Sequence, residues 1–268
     1  MKEFFKIYGT IIIATVALIQ PWLVALWKKY FRQGKIEIYQ TGNIEIGYSA
    51  FGPTIGLNGT LRCLNRDLFV QKIYLELIKE KDSSTHIFEW GVFRTEKLTI
   101  EGNQQASLEL PSGFMSLTSV PYRYNIQFHD LLLQSEMRPI INNVKEKWSK
   151  KITEIDKTEL MRLLSQNLSL PVQLQDPFGP LYDTFSRSST HVEAFGSLNQ
   201  LYYWEEGIYS LKMTARTSKP DKLFGKKWQF TLNKEEVKIV RLNVLKLLQD
   251  TCNRPSFGPY FFAYPKYE

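Results

Sequence analysis

The chain has 268 residues, 43% of them hydrophobic and 23% charged, with a formal net charge of +7. These figures exclude a disordered or low-complexity protein and leave ample apolar material for a core. Its two cysteines, Cys63 and Cys252, exclude a disulfide framework but leave one bridge open.

The first predicted element is an apolar run of 21 positions, Ile7 to Trp27, which carries no formal charge. At about 1.5 Å per residue it reaches roughly 30 Å, the thickness of a hydrocarbon core, and predicts a single transmembrane helix. The apolar character continues past Ala14 to Ala17 with no small-residue cleavage site, so an uncleaved anchor is expected rather than a signal peptide. Pro21 predicts a local kink. Trp22 and Trp27, with Lys28, Lys29 and Arg32, are candidate membrane-interface residues. Gly9, Thr10, Ala14 and Ala17 are candidate contacts to a neighbouring membrane helix, since small residues allow close approach. Cations following the span outnumber those before it, which predicts an external N-terminus and a cytoplasmic body.

Residues 1–35 carry six Lys or Arg and one acid, +5 in all, so the body keeps only +2. The basic excess therefore belongs to the anchor and its flank, next to a lipid bilayer, and nucleic acid is not an expected partner.

Residues 36–129 read as short strands divided by turns. Ile44, Ile46 and Tyr48 alternate with polar or small neighbours, as do Ile73, Leu75 and Leu77, and then Tyr122, Tyr124, Ile126 and Phe128. This period predicts an antiparallel β-sandwich or barrel, of which the sandwich is the expected architecture. Residues 130–204 change to helical spacing. Pro139 stands at an expected first turn, and Ile141, Val144, Trp148, Ile152 and Ile155 form one stripe. Asp156 with Glu159 predicts a second helix carrying Leu160, Leu163 and Leu164. The segment reads as a helical insertion.

In residues 205–252, strand character returns at Tyr209, Leu211, Met213 and Ala215, and Lys227 to Leu232 is expected to pair with that strand across a turn near Gly225. The segment from Glu205 to Leu211 resembles the tyrosine corner of immunoglobulin-like domains. The resemblance covers seven residues, with Leu211 where antibody domains have cysteine, and implies a sandwich fold but no immune function. Asn233 and Glu236 predict a capped final helix with Val237, Val240, Val244 and Leu247 or Leu248 buried.

No catalytic, cofactor or metal motif occurs. His86, His129 and His191 lack ligand spacing, and no Gly-x-Ser-x-Gly, Walker or Gly-x-Gly-x-x-Gly pattern is present. Ser83 to His86 and Ser188 to His191 are read as polar turns leading into strands. His129 and Asp130 are adjacent and therefore point apart on a strand. Residues 253–268 form a proline-punctuated tail whose Phe257, Tyr260, Phe261, Phe262 and Tyr264 are candidate partner-binding anchors.

The expected function is a single-pass membrane-anchored, non-enzymatic protein-interaction or adaptor module at the cytoplasmic face. Its partner would be a protein, with another membrane subunit among the candidates. Two alternatives stand beside it: a membrane-tethered enzyme or ligand sensor whose site is scattered in sequence, and an externally facing envelope or adhesion domain.

Overall fold

The computed structural model describes residues 2–30, 33–98, 104–156, 158, 161–162, 165, 178–253 and 260–268, and side chains from residue 8 and from 14–27 within the first helix. Five helices lie among the described residues: α1 (Lys2–Tyr30), α2 (Leu131–Thr153), α3 (Gly179–Phe185), α4 (Ser189–Gln200) and α5 (Lys234–Thr251). Nine strands accompany them, β1 (Lys35–Ser49), β2 (Gly52–Leu64), β3 (Leu68–Lys79), β4 (Thr85–Leu98), β5 (Gln104–Glu109), β6 (Phe114–Ser116), β7 (Tyr122–His129), β8 (Gly207–Ser218) and β9 (Asp221–Leu232).

All nine strands belong to one antiparallel sheet of order β1-β2-β7-β4-β3-β8-β9, with β5 added to β4 and β6 to β3. The expected two-sheet, immunoglobulin-like sandwich is therefore corrected to a single sheet curled nearly into a barrel. The period-2 pattern marks one buried face without saying whether a second sheet or the same sheet covers it. Long strands and bulges settle that here. Register shifts fall between Thr41 and Glu45, between Val70 and Lys72, and between Trp90 and Val92, where extra residues increase local coiling. The inner face collects Ile46, Tyr48, Ile55, Leu57, Ile73, Leu75, Phe88, Ile126, Phe128, Leu211 and Phe230, none more than 1% exposed. Gly59 makes room within this wall, since a Cβ there would lie 2.0 Å from the Tyr39 carbonyl oxygen. The Tyr124 hydroxyl occupies that space and donates to the same carbonyl at 3.2 Å.

The membrane expectation is also corrected. Among the described residues no helix is long and apolar enough to cross a membrane. Within α1 the run Ala14–Trp27 is broken by the polar Gln20 and by Pro21, which lies inside the helix and lacks a backbone N–H to donate. The transmembrane helix, the single-pass topology and the N-out, cytoplasmic-body localisation do not stand. Ala14, Ala17, Trp22 and Trp27 are exposed on α1, whereas Gly9, Thr10, Lys28, Lys29 and Arg32 lie outside the described side chains.

The antiparallel register places the β1–β2, β3–β4, β7–α2 and α4–β8 junctions at one end of the sheet, and helices after β7 pack there. Asp130 caps α2, accepting from the Leu133 N–H at 3.0 Å, so the helix begins two turns before Pro139. Pro139 is internal to it. The buried α2 stripe of Met137, Val144 and Trp148 carries ring contacts from Trp148 to Tyr182 and Phe185 of α3, at centroid distances of 6.0 and 5.3 Å. Ser188 opens a helix, not a strand, by capping α4, which buries His191 beneath Tyr182 with its Nε2 3.0 Å from the phenol oxygen. Burial holds that imidazole's pKa below its usual range. The second helix expected after Asp156 falls largely outside the described residues, as do Leu160, Leu163 and Leu164.

β8 joins β3 and β9 joins β8, their hairpin turning at Ser218–Asp221 rather than at Gly225. At the other end of β8 the Tyr209 hydroxyl donates to the Glu205 carbonyl and accepts from the Glu205 N–H, both at 2.9 Å. This local corner is held within a sheet whose topology is not that of a sandwich. Lys79, 8% exposed, is satisfied beside it by Glu205 at 2.7 Å and Asp82 at 3.2 Å.

Candidate functional site

Two surfaces merit a functional reading. The first is built by the C-terminal tail and α5. Asn233 and Glu236 form a reciprocal capping box at the start of α5, with both bonds at 2.9 Å. The helix then buries Val240, Asn243, Val244, Leu247 and Leu248 against the fold. Asn243 is fully buried, and its amide donates to the Phe261 carbonyl at 2.7 Å while accepting from the Phe261 N–H at 2.9 Å. This pair positions the tail.

Beyond it, Ala263 and Ile46 exchange backbone bonds of 2.9 and 2.8 Å, and the Ile44 N–H reaches the Pro265 carbonyl at 3.2 Å. The Glu268 N–H donates to the Gln229 carbonyl of β9 at 2.8 Å. The tail thus bridges β1 and β9, the two ends of the sheet order, and covers edges that would otherwise stand open. Phe262 lies over Gly47, where a Cβ would meet its ring at 2.5 Å. Tyr260 is half-buried beneath the Lys246 ammonium, 5.4 Å from the ring centroid, and burial pushes its phenol above the usual range.

Of the five aromatic anchors expected in the tail, Tyr260 and Phe262 are thus used within the fold. Phe261 and Tyr264 remain 42% and 54% exposed, and Phe257 lies outside the described residues. Sequence reasoning did not single out a second exposed apolar feature, on α5. On the outer side of α5, Ile239, Leu242 and Leu245 are 44%, 55% and 43% exposed. Their spacing of three residues puts them along one outward stripe, opposite the buried one. That second apolar stripe was available in the sequence as a departure from a one-sided amphipathic helix.

The second surface is a cleft of about 350 Å³ at the helix-covered end, lined by Thr85, His86, Ile87, Glu89, Asp130, Leu131 and Leu132. The register pairs Glu89 with His129, which brings β4 beside the β7–α2 junction. His86 Nδ1 lies 3.4 Å from Asp130 Oδ2, and Tyr203 stacks on the imidazole at a centroid distance of 3.8 Å. His129 takes no part in this pair; it stacks on Phe51 at 4.9 Å and covers Gly91. The His86–Asp130 pair has no signal in sequence spacing, because only the strand register joins its members.

An imidazole oriented by a carboxylate is half of a nucleophilic site. The other half is missing among the cleft's lining residues. The Thr85 hydroxyl turns to the Ser83 carbonyl at 3.5 Å. Cys63 and Cys252 are both buried, and burial raises both thiols, that of Cys252 to about 12, so neither is a thiolate near neutrality. Among the described residues no group of three His, Cys, Asp or Glu side chains could hold a metal ion. Comparison with protein-family models finds none that matches this chain, and comparison with curated protein sequences finds no match.

Proposed function

We propose that the chain is a non-enzymatic protein-interaction module that engages another protein through the outer face of α5 and the adjoining tail. The observation that supports this reading is the exposed stripe of Ile239, Leu242 and Leu245 on a helix whose Asn243 also holds the tail that carries the exposed Phe261 and Tyr264. A helix that already buries one apolar face gains nothing for its own fold from a second. Exposed apolar side chains that recur along one helix face mark a candidate interaction site. Phe261 and Tyr264 add aromatic anchors, and both are held by tail backbone fixed to Asn243 and β1, so little order would be lost on binding.

The double variant I239K/L242K tests the reading. Both positions are about half exposed, so the thermal midpoint should shift by no more than about 3 °C, since surface changes stay within about 0.5 kcal/mol each. In affinity purification at native expression, a stoichiometric partner recovered with the native chain should be absent from the variant. Recovery of the same proteins in the same amounts by both would contradict the proposal.

A further inference from the structure

The cleft at the end of β7 exposes a length of unpaired strand, and this sets the kind of ligand it fits. β3 pairs with β4 from Thr85 to Glu89, while β7 pairs with β4 only from Glu89 onward. Above Glu89 the chain leaves the sheet at Asp130 to begin α2. Four residues, Thr85 to Phe88, therefore have a strand partner on one side only, among the described residues.

The phase of the ladder identifies the open groups. Lys79 N–H donates to the Ser84 carbonyl at 3.0 Å, so Lys79 and Ser84 form a hydrogen-bonded pair. Such pairs alternate along an antiparallel ladder. His86 and Phe88 then direct their backbone groups at β3, and Thr85 and Ile87 direct theirs into the cleft. The same phase makes Glu89 face His129, in agreement with the β4–β7 register. No backbone bond from another described segment reaches Thr85 or Ile87 on that side.

The surroundings supply chemistry for side chains on such a strand. Ile87 is 61% exposed, Leu131 46% and Leu132 73%, which gives an aliphatic rim. The charged lining is two carboxylates, Glu89 and Asp130, with no lysine or arginine among the lining residues. Asp130 is 4% exposed and bound to the Leu133 N–H, while Glu89 is also paired with Lys72 at 2.8 Å.

We infer that this cleft takes an extended, cation-bearing peptide segment of a protein partner, added as a short strand to the edge of β4. Its backbone would meet the N–H and C=O of Ile87 and Thr85. An aliphatic side chain would rest on Leu131 and Leu132, and a Lys or Arg would face Glu89, the more exposed of the two carboxylates. In strand addition the main-chain bonds supply affinity and alternate side chains supply selectivity. The site is separate from the α5 face, so either can fail without the other.

The test uses the full chain and three blocked hexapeptides: alternating Lys and Val, alternating Glu and Val, and the Lys–Val peptide N-methylated on every second amide. The Lys–Val peptide should bind saturably below about 1 mM, with the Glu–Val peptide at least about tenfold weaker and the N-methylated peptide showing no saturation. Ile87→Pro removes an edge donor without touching the β3 ladder and should weaken binding about tenfold. Leu132→Gln, at an exposed position, should weaken it a few-fold whether or not the proline variant folds. The Ile87 amide should gain hydrogen-exchange protection when the Lys–Val peptide is added, and Leu242→Lys should bind it like the native chain. The inference is overturned if the Lys–Val peptide does not saturate, if N-methylation leaves binding unchanged, or if Leu132→Gln binds normally while Leu242→Lys does not.

Discussion

Replacing Asn243 with leucine should lower stability by about 2–4 kcal/mol and release the tail from β1. The side chain is fully buried and makes two bonds to the Phe261 backbone. Leucine is near in size but can satisfy neither the N–H nor the C=O, and each unsatisfied buried group costs about 1–3 kcal/mol. For a chain of this length the thermal midpoint should fall by about 5–15 °C. The tail's further bonds to Ile44, Ile46 and Gln229 depend on the same segment. The Ile46 amide should therefore exchange faster by a larger factor than amides in β3 or β8. An unchanged midpoint with Ile46 still protected would show that Asn243 does not hold the tail on β1.

Trp204→Ala should be the costliest single truncation, at about 3–5 kcal/mol, the usual range for removing a buried tryptophan. Trp204 is 1% exposed, and its indole N–H donates to the Gly47 carbonyl at 3.1 Å. Its ring lies within 6.3 Å of Phe88, 5.0 Å of Tyr203 and 5.8 Å of Tyr209. It joins β1, β4 and the corner before β8 at the helix-covered end. Trp204→Phe keeps most of that packing and loses the donor, so about 1–3 kcal/mol should go. Chemical denaturation of the two variants separates the contributions. A loss below about 1 kcal/mol for the alanine variant would mean that the residue is not packed as the structure has it.

Local elements were the legible part of this fold. The alternation of Ile44, Ile46 and Tyr48 marks a strand with one buried face, and each of these residues is fully buried. Asn233 with Glu236 states a helix start because the chemistry of a cap is contained within four residues. In sequence Asp130 reads as the neighbour of His129 rather than as a cap, which puts the expected start of α2 at Pro139. Ser188 likewise fits a turn as well as a cap, because one hydroxyl can serve either structure.

What pattern does not contain is the covering layer. Ile38 or Leu75 would be buried equally by a second sheet, by the far side of the same sheet, or by a helix, so curling into one sheet was not legible. The aromatic tail shows a related gap. Composition singled out Tyr260 to Tyr264, but only the fold divides them, with Tyr260 and Phe262 turned toward Lys246 and Gly47 and with Phe261 and Tyr264 left exposed. The cleft lay further out of reach, since His86 and Asp130 meet through the register of three strands.

The central claim is that the outer α5 face meets another protein, and site-specific photo-crosslinking in the native cell tests it most directly. A photoreactive side chain at Leu242 is compared with one at Met115, an equally exposed apolar position on β6, the two being 55% and 54% exposed. The account predicts a discrete protein adduct from position 242 that is missing from position 115. No adduct at 242, or the same adducts at both positions, would contradict it.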